Sequence, residues 1–192
     1  MENQSPRLGY RGRYPNKNLR DSLLNLNDNA WMSLANTSSD PTVVPRRLES
    51  LYENPNDLDA IRDLASLVRT RDGILSAAYA VAPHFLALRN DDQSQWDAKY
   101  HLLIEAGKFA LFDRTEYQLG QLVSPELGTV ADDYNWAINT VANALGMYLV
   151  PEFSVCAKEV SAVFLGCTGQ RELGLAILQL DGPATHFTDN LG

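Results

Sequence analysis

The segment Asp72–Arg89 reads Asp-Gly-Ile-Leu-Ser-Ala-Ala-Tyr-Ala-Val-Ala-Pro-His-Phe-Leu-Ala-Leu-Arg and is apolar nearly all round. A helix with apolar residues on every side has to be covered on more than one side. Its alanines let neighbouring helices come close, and Pro83 removes one backbone donor and is expected to bend the run. The segment therefore predicts the central helix of a layered all-α protein. Its longest nearly uninterrupted apolar stretch, Ala77–Leu88, is too short to cross a bilayer, so no membrane partner is expected.

The pattern around this helix is helical as well. Asn18–Ala35 carries Leu19, Leu23, Leu26, Trp31 and Leu34. Asp40 is an N-cap candidate with Pro41 at the first helical position, opening a helix through Val44, Leu48, Leu51 and Tyr52 that stops near Asn54-Pro55. Asp57 caps a helix on Leu58, Ile61, Leu64, Ala65 and Val68, and Thr70–Gly73 is the next break. After the central helix comes a polar turn, Asn90–Gln95, with Ser94 as cap, and a helix from Trp96 towards Phe112 in which Gly107 is a weak point. A short helix over Glu116–Val123, a longer one from Ser124-Pro125-Glu126 through Leu149, one from Pro151 through Leu165 broken at Gly166–Gly169, and a last one over Arg171–Leu180 complete the pattern. No two-residue alternation accompanies a hairpin turn, so strands are not expected. Short links between about eight helices favour stacked antiparallel helical hairpins, arranged as an α-solenoid or a compact bundle.

At 192 residues the chain is long enough for one self-sufficient core. The expected organisation is a flexible basic arm at 1–17, a single helical domain at 18–181 and an irregular tail at 182–192. Residues 1–20 hold Arg7, Arg11, Arg13, Lys17 and Arg20 against Glu2, while the whole chain is at −8, so the body is strongly acidic. That balance disfavours nucleic acid, which needs clustered Lys and Arg. It suits either plain solubility or a basic protein partner reached by electrostatic steering. The polar N-terminus has no apolar signal segment, and a cytoplasmic location is expected. Cys156 and Cys167, eleven apart in apolar surroundings, read as buried reduced thiols rather than metal ligands.

Chemistry has few places to sit. His84 falls in the central helix and reads as a satisfied core histidine, and His186 belongs to the tail. His101 and Glu105, four apart on one helix, could share a metal, but no second ligand pair has matching spacing. No Gly-x-Ser-x-Gly elbow and no Gly-Lys-Ser/Thr phosphate loop occurs. No catalytic residue, metal or cofactor is expected from these motifs. Turnover of a substrate, or a metal at His101 and Glu105, would point to an enzyme instead.

The most suggestive surface lies on Val130–Leu149. Tyr134, Ile138, Val141, Leu145 and Tyr148 form its apolar stripe, while Asp132, Asn135, Trp136, Asn139, Thr140 and Asn143 gather on the other side. Asn is a poor helix former because its amide competes for backbone groups, so a helix face rich in Asn points to directional hydrogen bonding. Asp132, Asn135, Trp136, Asn139 and Asn143 are accordingly candidate partner-binding residues; a polar ladder buried between helices is the alternative. Asp91 and Asp92 are a second candidate contact patch, or else caps of the turn that holds them.

Two segments resemble a known family. The Ser-Ala-Ala-Tyr-Ala-Val-Ala-Pro-His-Phe-Leu core of Asp72–Leu88 is similar to the Ala-rich helix of bacterial HEAT-like helical-repeat proteins. Val160–Asp181, with its Ala-x-Phe-Leu-Gly-Cys-Thr-Gly-Gln-x-x-Leu-Gly-x-Ala-Ile-Leu rhythm, is similar to their final helical hairpin. Thr70-Arg71-Asp72-Gly73 departs from the His-Gln-Gly that usually precedes the first of these. The resemblance implies a HEAT-like interaction protein, and some members are presumed immunity proteins of polymorphic toxin systems. The function it implies is neutralisation of a cognate toxin or effector by direct binding; a scaffold or adaptor within a larger assembly is the alternative.

Overall fold

The computed structural model describes residues 23–71, 73–113, 130–146 and 157–180. The expected arm at 1–17, the segment 116–123, Tyr148, Cys156, His186 and the tail at 182–192 lie outside the described residues. The described part is all-α: seven α-helices, a 3-10 turn and one two-stranded ladder.

The first described segment departs from expectation. In place of a helix reaching Ala35, residues 23–35 hold only a 3-10 turn at Asn29–Ser33. Asn25 and Asp28 explain this, because their side chains accept from the backbone amides of Asn27 at 2.9 Å and Ala30 at 2.8 Å. Such local bonds give the backbone an alternative to the helical ladder. The Trp31 indole also donates to the Asn25 carbonyl at 2.9 Å.

Helix α1 spans Val43–Glu53, two residues beyond the expected start. The Asp40 carboxylate takes the Thr42 amide at 2.8 Å and the Thr42 hydroxyl at 2.7 Å, so it closes a turn ahead of the helix rather than capping it. Helix α2, Leu58–Leu67, begins as expected, with Asp57 accepting from the Ala60 amide at 2.9 Å. Thr70–Gly73 is more than a break: β1 (Arg69–Thr70) pairs antiparallel with β2 (Gly73–Ile74), with Arg69 opposite Ile74.

Helix α3, Ala77–Arg89, carries Pro83 and buries eleven of its thirteen residues. Ser94 does not cap the next helix; its hydroxyl donates to the Leu88 carbonyl at 2.6 Å, and Gln95 holds the cap position without a side-chain bond. Helix α4 covers Trp96–Phe112, α5 Val130–Leu145, α6 Ala157–Cys167 and α7 Arg171–Gln179. The break after α6 falls later than expected. Gly166 is helical, and the chain turns at Gly169, where φ is +84°. There the Gln170 amide bonds Leu165 O at 2.8 Å and the Gly169 amide bonds Gly166 O at 3.1 Å, a Schellman closure that a glycine accommodates best.

Packing follows the hairpin order. α1 lies against α2, α3 against α4, and α6 against α7. Between hairpins, α1 meets α3 and α3 meets α5 in one layer, while α2 meets α4 and α4 meets α6 in the other. Alternate helices stacking in two layers is the stacked-hairpin arrangement. One continuous core runs from Ala30 to Val163, with Trp31, Tyr79, Phe85 and Phe109 its largest side chains.

Candidate functional site

Helix α5 divides as its spacing predicts. Tyr134, Ile138, Val141 and Leu145 are buried against α3, α4 and α6, with Val130, Ala137 and Ala144. Asp132, Asn135, Asn139 and Asn143 are exposed in one row, and Trp136 is half-buried against the core edge. The row is therefore an outer face rather than a ladder between helices. Two of its side chains bond back along the helix, the Asn139 amide to Asn135 O and the Thr140 hydroxyl to Trp136 O, each at 2.9 Å.

The turn between α3 and α4 holds Asp91 and Asp92. Asp91 is half-buried and accepts from the Gln93 amide at 2.8 Å, so it shapes the turn; Asp92 is exposed.

His84 is a core histidine. It is 1% exposed, with Nδ1 2.8 Å from the Tyr52 hydroxyl and Nε2 3.0 Å from the Leu24 carbonyl. An Nε2–H donating to that carbonyl leaves Nδ1 to accept from Tyr52, which ties the segment before the 3-10 turn to α3 and α1.

His101 and Glu105 do not converge. His101 Nε2 faces an Arg62 guanidinium nitrogen at 3.4 Å, while Glu105 is buried and turned to other partners. Among the described residues no group of three His, Cys, Asp or Glu could hold a metal ion.

Glu105 instead centres a charge network that spans two helices, α4 and α6, and the ladder. Its carboxylate lies 2.8 Å from Lys108 Nζ and 3.5 Å from Arg69. Lys108 also reaches Glu159 of α6 at 2.8 Å, and the Arg69 guanidinium sits 5.2 Å from the centre of the Phe112 ring. Burial pulls the Lys108 ammonium down, but Glu105 and Glu159 outweigh it, so its pKa lies above the usual lysine value. The network borders a cleft of about 400 Å³ beside Arg71 and Leu178. Only its Glu105–Lys108 half has a local signature in the sequence, a spacing of three within one helix. Arg69 and Glu159 arrive from distant positions through the packing of β1 and α6.

No family model, curated protein or solved structure matches this chain.

Proposed function

We propose that the protein is a non-enzymatic binding module that acts in the cytoplasm as an immunity protein, neutralising a basic toxin or effector by covering its active surface. The observation that carries this reading is the outer face of α5. Asp132, Asn135, Asn139 and Asn143 stand exposed in one row beside half-buried Trp136, on a helix whose other face is core. Amides at helical spacing offer donors and acceptors in fixed register, and a tryptophan at the core edge is a rigid anchor of the kind that dominates interface energy. The net charge of −8 supports a basic partner through long-range attraction. The resemblance of two segments to HEAT-like helical-repeat proteins, some of them presumed immunity proteins, supports the class of partner.

The test is co-expression with a toxin encoded beside the gene, followed by titration of the purified pair. Trp136→Ala is expected to weaken the complex by about 2 kcal/mol or more. Because Trp136 also packs on the core edge, Asn139→Arg serves as the variant that leaves the fold intact; it is expected to weaken binding with an unchanged melting temperature. Asp132→Lys should mainly slow association and flatten its salt dependence. A toxin that neither binds nor is silenced overturns the proposal.

A further inference from the structure

The cleft beside the Glu105 network has an unbalanced wall. Arg69, Arg71 and Lys108 border it, and the two carboxylates of Glu105 and Glu159 are engaged by Arg69 and Lys108. Arg71 is exposed and makes no hydrogen bond or ion pair with any described residue. Among the described residues one positive charge is therefore left over beside the cleft, in a chain whose total is −8. The rest of the wall is Thr70 and an apolar part formed by the half-buried Phe112 and Leu178.

A single surplus cation beside an apolar wall fits a singly charged group attached to an apolar body. A planar guanidinium takes a carboxylate through two parallel N–H···O bonds, and a volume near 400 Å³ is in the range of small-molecule sites. We propose that this cleft binds a small carboxylate carrying an aromatic or branched aliphatic body, its charge at Arg71 and its body against Phe112 and Leu178. The proposal is independent of the protein-binding face on α5.

The probe is phenylacetate, titrated into the full-length protein and followed by saturation-transfer NMR and calorimetry, with benzyl alcohol and inorganic phosphate as parallel arms. Saturable binding of phenylacetate that weakens as salt is raised is expected, with much weaker binding of the other two. Arg71→Gln should lower the affinity about tenfold or more, through loss of the charge-assisted pairing, while Arg46→Gln on α1 should leave it unchanged. Arg71 is exposed, so its variant should melt as the wild type does. Absence of saturable binding, equal affinity for benzyl alcohol or for phosphate, or undiminished affinity in Arg71→Gln would each overturn the assignment.

Discussion

At Gly107 an added Cβ would overlap Val163 Cγ1 and come within 2.9 Å of Val141 Cγ1 and 3.3 Å of Cys167 Sγ. The sequence marks this residue as a weakness in α4, and by intrinsic propensity an alanine there would gain about 1 kcal/mol. The packing reverses that sign. Both α5 and α6 close in on α4 at the one position without a side chain, and overpacking of this kind costs typically about 1–3 kcal/mol. Gly107→Ala is expected to lower the melting temperature despite its better helix propensity, and Gly107→Ala with Val163→Ala to recover part of the loss; thermal melts of the two variants decide it. Gly166 and Gly174 serve the same end, since a Cβ at either would come within 2.8 Å of Leu111. No periodicity argument could identify these contacts, because each depends on which helix lies opposite.

Helix α3 is the element that the sequence describes most completely. Its apolar residues leave no face for water, and the structure covers it with α1, α4 and α5. Ala78 is fully buried there, and an unpaired carboxylate at such a place costs several kcal/mol. Ala78→Asp should therefore remove most of the ~5–15 kcal/mol that holds a typical domain together. The variant is expected to be unfolded or aggregated by circular dichroism at room temperature. Elsewhere, legibility follows the reach of the interactions. Asp57 was readable as a cap because it bonds an amide three residues away, and the apolar stripe of α5 because burial imposes a period on it. Asp40 and Ser94 have the residue types of caps but do not cap, because the same side chains close a neighbouring turn or return to the helix before. Leu23, Leu26 and Trp31 suggested a helix, yet each can reach the core or its margin from a turn pinned by Asn25, Asp28 and His84.

For the molecule as a whole, the outer row on α5 was legible because exposure is the complement of a buried period. The anionic-ligand cleft was not, since Arg69, Lys108 and Glu159 meet only through the stacking of hairpins. Three buried or half-buried groups also set how the fold responds to alkali. Burial pushes the Cys167 thiol from 9.0 up to about 12. Burial first, and the Asp113 carboxylate second, push the Tyr134 phenol well above its usual value, and Lys108 is raised as described. Each binds its proton more tightly folded than unfolded, so its contribution is whole below the unfolded pKa and is lost as pH rises towards the folded one. The melting temperature is expected to fall from about pH 9, first through Cys167 and then through Tyr134 and Lys108. Cys167→Ala should remove the earliest part of that fall and leave the rest, which melts in half-unit pH steps across the alkaline range would reveal. The Glu105 network has a further bearing on heat. Ion pairs lose less of their worth on warming than other contacts do, because charged groups become less costly to strip of water as temperature rises. A network of four charged side chains joining β1, α4 and α6 thus gives the wall of the cleft a seam whose worth falls less on warming than that of its apolar contacts.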